Sequence, residues 1–459
     1  MKKILLLAAA AILACGAASA QEESQVAKGE TIVTDATGLS EDGKMQKYRR
    51  SSLYSVLIAH SQFNYGDVIK ETFVSIPTPD KFNSHDVAVK IFESSSEKMI
   101  KNPKKKEELN QSDIDNFMKE HDVARRMVAK WFNRNPETGM FDGSYIEECG
   151  FESASWADKA EAEATISGLD KGKIGEELVG KTFLLVNDIV FVDKGEQTKK
   201  ASGWIKGLGA LAGAVTGMSV IEDAANLAGD ITNEFDGFTV KIVSYLFRLD
   251  WNEHISNTFY NDHWIYDDDT EEVKAQKRAA FDATDIFKLT YIGQTETQAG
   301  NLSSKSLSSK PKEEQMLKVC TRAIDKSIVE LQREYDEFKV NVPIQSISAD
   351  KKTCTIPVGL KEGVNEKSVY KAIEYVQDEN GNYTMKTIAT LKPVKGQIWD
   401  NRFGAAEDAA AIASGEAKGS EEDASGNVNL TATTFEITSG ANNLMTGSLV
   451  REETIKRTK

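Results

Sequence analysis

TFLLVNDIVFV, residues 182–192, and FTVKIVSYLFRL, residues 238–249, are the two stretches on which the fold turns. The first is almost continuously apolar and rich in β-branched and aromatic residues, the pattern of a strand covered on both faces. The second has the same texture and is its expected neighbour. Ile286–Ile292 sets Phe287, Leu289 and Tyr291 against Lys288 and Thr290, a period of two that marks a third strand. Upstream, Thr72–Ile76 and Val87–Phe92 read as strands, with Pro77 and Pro79 punctuating between them.

Helical spacing separates these strands. A helix is expected to open at Ser112, where Asp115 completes a capping-box pattern. Ile114, Phe117, Met118, Ala124, Met127, Val128, Trp131 and Phe132 then form an apolar stripe closed by Pro136 and Gly139. Shorter helices are expected over Ala154–Ile166 and Ile174–Val179. A long one, over Glu313–Phe338, buries one face through Met316, Val319, Ala323, Ile324, Ile328, Leu331, Tyr335 and Phe338.

After Pro343 the texture changes to short strands and turns. Tyr370–Val376 and Tyr383–Leu391 flank Asn380-Gly381, a strong hairpin signal. Further strands are expected at Gln397–Trp399, Leu430–Ile437 and Ser448–Ile455. The acidic stretch Gly404–Asn427 reads as a solvated loop with one short helix. The fold class is therefore α+β, with a mixed α/β domain over residues 46–340 and a small all-β domain, sandwich or barrel, over residues 341–459.

The N-terminus carries an address. Lys2 and Lys3 precede an apolar run from Ile4 to Ala14, and Ala18-Ser19-Ala20 supplies small residues at the positions a signal peptidase accepts. The apolar run is about half the length of a spanning helix, so residues 1–20 read as a removed signal and residues 21–45 as a flexible leader. A rival site exists in Ile12-Leu13-Ala14-Cys15, which resembles a lipobox that would acylate Cys15. Leu13 departs from that pattern, and cleavage after Ala20 is the preferred reading. The signal ending Ala18-Ser19-Ala20-Gln21, with the texture of the whole chain, resembles exported cell-envelope proteins of unknown function from Bacteroidota. That resemblance implies a periplasmic or outer-membrane-associated location and no defined activity.

Charge and cysteine content narrow the partners. The formal net charge of −15 becomes −17 once the two signal lysines are gone. Such a surface repels phosphate backbones, so nucleic acid is not an expected partner. Cys149, Cys320 and Cys354 are too few for a disulfide scaffold; one pair could bridge, or all three could be buried thiols. No cofactor or metal motif stands out. His60, His85, His121, His254 and His263 include no pair at i, i+4. His254 and His263 lie near Glu253, Asp262 and Asp267-Asp268-Asp269, but a solvated acidic loop accounts for them better than a metal site. No GxSxG elbow is present. Gly207-x-Gly209 imitates a dinucleotide loop but follows no strand.

The segment drawing most attention is SGWIKGLGALAGAVTG, residues 202–217, within an expected helical-hairpin insert at about 200–234. Gly209, Gly213 and Gly217 repeat every four residues, as in a glycine zipper, and would line one helix face with small side chains. Three roles are open: packing on the protein's own core, membrane contact, or self-association with envelope proteins or a second copy. The uncharged run Gly207–Ile221 spans roughly 22 Å as a helix, short of the roughly 30 Å of bilayer hydrocarbon. Function is expected to be binding or assembly in the cell envelope, with a secreted hydrolase acting on envelope or dietary polysaccharide as the alternative.

Overall fold

The computed structural model describes residues 51–61, 65–93, 106–153, 178–191, 239–300, 310–377 and 383–453. The leader, the Ala154–Ile166 helix, most of Ile174–Val179, the hairpin insert with Gly209, Gly213 and Gly217, and Asn380-Gly381 lie outside the described residues. The described residues all belong to one compact unit.

Its first layer is a mixed sheet of β1 (Ser52–Ala59), β2 (Asn83–Ser84), β3 (Ile91–Glu93), β4 (Thr182–Phe191), β5 (Thr239–Leu249) and β6 (Leu289–Gly300), in the order β2-β1-β4-β5-β6 with β3 also on β1. β1 runs parallel to β2, β3 and β4, whereas β4, β5 and β6 are antiparallel. The two-faced reading holds over Thr182–Phe191. Phe183, Leu185 and Ile189 enter one core, and Leu184 and Val186 enter another on the opposite face.

Helices cover both faces. On one lie α1 (Gly66–Val74) and, later in the chain, the long helix Lys312–Glu334; Ile69, Phe73, Met316, Val319, Ala323 and Ile324 are buried there. On the other lie α2 (Lys106–Glu120), α3 (Val123–Trp131) and α4 (Ser144–Ser153), then α5 (Glu253–Thr258), a π-helical turn (Phe259–His263) and α6 (Glu271–Ala283). The long helix is therefore α7 (Lys312–Glu334), followed by a 3-10 turn at Asp336–Phe338. Trp131 shows how a buried polar edge is satisfied: its Nε1 donates to Thr182 Oγ1 at 2.8 Å, which itself donates to the Leu178 carbonyl at 2.9 Å.

Several expectations are corrected. Thr72–Val74 is the last turn of α1, with Ser75 as its C-cap, and not a strand, because Ile69, Thr72 and Phe73 recur at helical spacing. Val87–Phe92 pairs with β1 only from Ile91, because Ala88 adopts φ 67° in an Asx turn closed by its N–H on Asp86. The Ser112 helix begins at Lys106 and breaks at Asp122, which sits at φ 50°. The third strand starts at Leu289 and runs on to Gly300. β1 was missed: Ser52 and Ser55, both inside it, interrupt the apolar run that marks the other two-faced strands.

The C-terminal region is an antiparallel sheet of β7 (Val342–Pro343), β8 (Ser346–Ile347), β9 (Thr353–Ile356), β10 (Tyr370–Gln377), β11 (Tyr383–Pro393), β14 (Thr433–Ser439) and β15 (Leu449–Glu452). Its order is β7-β15-β10-β11-β14-β9-β8, with a small parallel pair, β12 (Ile398–Trp399) and β13 (Gly426–Asn427), beside it. β7 and β8 are halves of one bent segment, so one end of the order returns to the other. Ile344 N–H donates to Ser448 O at 2.9 Å and Gln345 N–H to Thr355 O at 2.9 Å, drawing both edges onto that segment. The sheet curls into a half-barrel around Ile356, Ala372, Leu391, Phe435 and Val450.

Gly404–Asn427 is not a solvated loop. It forms α8 (Ala405–Ala413) and α9 (Glu421–Ser425), and Ala405, Asp408 and Ala411 are buried. The buried Asp408 carboxylate lies 2.7 Å from Lys318 Nζ and 2.7 Å from Arg322 Nη2, both on α7. Gly404, at φ 71°, allows that approach: a Cβ there would stand 2.7 Å from Lys318 Cε. Among the described residues no helix is long and apolar enough to cross a membrane.

Candidate binding surface

The stretch from Asp250 to Glu272 contains eight acidic residues and no Lys or Arg. Folding brings it to the surface as α5, the π-helical turn and the loop to α6. Asn252 caps α5 by accepting from the Ile255 N–H at 3.0 Å, and Thr270 caps α6 by accepting from the Val273 N–H at 3.3 Å. Between the caps stand Phe259, Tyr260, Trp264 and Tyr266, and the buried and half-buried rings among them anchor the segment.

Phe259 is fully buried, with its ring centroid 4.5 Å from Phe132 and 4.9 Å from Phe141. Trp264 lies 5.6 Å from Phe141 in a stacked pair, and 5.4 Å from Tyr260. Tyr260, Trp264 and Trp251 are half-buried, whereas Tyr266 is 44% exposed. Around these rings Glu253, Asp262, Asp267, Asp268, Glu271 and Glu272 are exposed to solvent. The result is an aromatic platform with exposed carboxylates along the same segment.

The protein itself shows what this surface can hold. Lys277 Nζ sits 4.7 Å from the Tyr266 ring centroid and 2.8 Å from Asp269 Oδ2, a cation held jointly by a π face and a carboxylate. The Lys277 hydrogen bond, assisted by the Tyr266 N–H, holds the Asp269 carboxyl below its ordinary range. On the inner side, Arg134 stacks 4.6 Å from the Phe281 centroid and pairs with Asp282 at 3.0 Å.

The histidines separate in space. His60, at the end of β1, places Nε2 2.7 Å from Asp188 Oδ1, and both side chains are buried. His85 is buried and donates from Nε2 to the Met127 carbonyl at 2.8 Å; burial pushes it down to about 3. His121 lies beside Phe117, and His254 is exposed. His263 turns inward, away from the exposed carboxylates that neighbour it in sequence. Among the described residues no three His, Cys, Asp or Glu side chains converge as a metal site. Cys149, Cys320 and Cys354 are buried, and burial pushes the Cys320 and Cys354 thiols up to about 12. Sequence reasoning found the acidic run but missed the platform, although the spacing of Tyr260, Trp264 and Tyr266 was there to be read.

Two further features lie elsewhere. A cleft of about 410 Å³ is lined by the residues from Val74 to Thr78 with Phe82, Ser84, Asp86 and Lys90; its Asp86–Lys90 pair, at 2.6 Å, is internally neutral. Beyond the same loop, Asp325 of α7 lies near Lys361, Glu362 and Asp80. Burial pushes its carboxyl up to about 7, Glu362 and Asp80 add to the rise, and Lys361 and Arg322 oppose it. Ionising Asp325 therefore opposes folding: stability falls as pH rises from the unfolded carboxyl range through about 7. Asp325→Asn should stabilise the protein by about 1–2 kcal/mol at alkaline pH, after discounting for solvent screening, and by almost nothing near pH 4. Urea denaturation at the two pH values checks this, and an equal effect at both would refute it. Comparison with protein-family models finds no match, and a search of curated proteins finds no significant relative.

Proposed function

We propose that the protein is exported and acts in the bacterial cell envelope as a binding component, engaging a cationic partner through the platform of Tyr260, Trp264 and Tyr266. The observation that carries this reading is the Asp250–Glu272 surface, where half-buried or exposed aromatic rings share one segment with six exposed carboxylates, of which Glu271 is paired with Lys274 at 3.1 Å. Aromatic faces and carboxylates attract Lys and Arg by the same electrostatics that hold Lys277. The charge of the whole chain adds long-range steering of basic partners. Export is supported by the basic, apolar and small-residue succession of residues 1–20.

The test uses the full secreted protein and a Lys/Arg-rich peptide as probe. Binding measured by calorimetry should weaken as salt rises, because the carboxylates are exposed. Trp264→Ala combined with Asp267→Asn and Asp268→Asn should lose about 2–3 kcal/mol of affinity if the platform is the anchor. Unchanged affinity in that variant would refute the site. Intact mass of the secreted form should place the mature N-terminus at Gln21, and a start at acylated Cys15 would instead make it a lipoprotein.

A secreted hydrolase acting on polysaccharide is the second reading, and Asp325 is the observation in its favour. A carboxyl that keeps its proton near neutrality beside Glu362 and Asp80 has the electrostatics of a general acid. Glycan cleavage abolished by Asp325→Asn would support it.

A further inference from the structure

Beneath the aromatic platform lies a buried group that neither function uses. His263 ends the π-helical turn, is 4% exposed, and packs its ring 5.8 Å from Phe281 and 6.0 Å from Phe287. Neither Nδ1 nor Nε2 has a hydrogen-bond partner among the described residues. An imidazole in such a site loses the hydration of its polar edge without replacement, an arrangement that costs stability and calls for a reason.

We propose that His263 makes the aromatic platform pH-sensitive: protonating its ring drives the π-helical turn off the Phe281–Phe287 wall and dismantles the surface formed by Tyr260, Trp264 and Tyr266. This inference rests on the platform being the binding site. The neutral ring packs against Phe281 and Phe287, whereas the cation would need two acceptors and neither nitrogen has one among the described residues. Charged groups on the surrounding elements do not supply them. Asp262, next in sequence, is exposed and acts on the ring only at a distance. Asp282 is committed to Arg134, which itself lies over Phe281. Asp285 and Lys288, flanking Phe287, are exposed, as are Glu253 and His254 on α5. Burial accordingly holds the ring below the ordinary histidine range, with Asp262 opposing. Its neutrality favours folding above the unfolded histidine value, and that contribution is lost as pH falls from there towards the folded value. The response therefore lies on the acid side of neutrality.

The experiment follows the full-length secreted protein as pH falls from about 8 to about 5. Expected in the wild type are a change in tryptophan fluorescence, new protease cleavage within Asn252–Ala283, and severalfold weaker binding of the Lys/Arg-rich peptide, with far-UV circular dichroism retained. His263→Phe, which fills the pocket with an apolar ring, should keep its fluorescence and protection at both pH values. His85→Gln should leave the local transition in place, separating it from the other buried histidine. A wild-type transition retained in His263→Phe, or no cleavage of the wild type at acid pH, would overturn the proposal. If His263→Phe fails to fold, NMR titration of the wild-type imidazole decides: titration near the ordinary histidine value refutes it, and a depressed value concurrent with the fluorescence change supports it. A peptide that binds at no pH sinks the platform reading alone, because the cleavage and fluorescence arms still report on His263.

Discussion

Replacing Asp408 by alanine should cost about 3–5 kcal/mol, one of the two largest effects expected of any single change outside the apolar core. Asp408 is 2% exposed and holds Lys318 and Arg322, whose side chains are 7% and 13% exposed. Removing the carboxylate leaves two cations facing each other with their counter-charge gone. Glu407 offers only a partial substitute, since it stands 3.6 Å from Lys318 and is already engaged by Lys310 at 2.8 Å. The Lys310 hydrogen bond holds its carboxyl below the ordinary range. The loss should appear in urea denaturation as a lower midpoint with the slope preserved, because the same surface unfolds. Asp408→Leu combined with Lys318→Met and Arg322→Met should recover much of the loss, since no buried charge then remains unpaired. A cost below about 1 kcal/mol for Asp408→Ala would show the cluster to be solvated, as exposed ion pairs are.

That cluster also explains where sequence reading stopped. Gly404–Asn427 is acidic along its length, and a run of carboxylates ordinarily marks solvent. What makes Asp408 a buried residue is a pair of cations on α7, Lys318 and Arg322, the first of them ninety positions away in the chain. No local pattern encodes that match. By contrast, the strands at 182–192 and 238–249 were legible because burial on both faces selects apolar side chains at every position, with no partner to identify. α1 deceived for a related reason: Thr72, Phe73 and Val74 are favoured in strands, yet packing beneath α7 overrides that preference. The candidate surface was half legible. Its acids are adjacent in sequence, so Asp262 and Asp267-Asp268-Asp269 stood out at once. That His263 faces inward while His254 faces solvent depends on Phe281 and Phe287, which only the fold brings to the ring.

The second large effect concerns His85 and acid. This imidazole is fully buried against Trp131, 5.0 Å between ring centroids, and its Nε2 donates to the Met127 carbonyl. The bond fixes the neutral tautomer, leaving Nδ1 unprotonated in an apolar wall with no acceptor for a second proton. Burial is the leading cause of its fall to about 3, Lys130 adds to it, and Asp86 and the Met127 bond oppose it. Because the unfolded chain takes up a proton near pH 6.5 and the folded chain does not until about pH 3, protons pull towards unfolding throughout that window. His85's contribution is thus whole above about pH 6.5 and falls by about 2 kcal/mol by pH 5. His85→Gln, which can still donate to Met127 but cannot ionise, should be less stable than the wild type at pH 8 and should lose about 2 kcal/mol less on going to pH 5. Denaturation curves of both proteins at the two pH values measure the difference directly. Parallel losses would mean that the acid sensitivity arises elsewhere and that His85 is reached by solvent in the folded state.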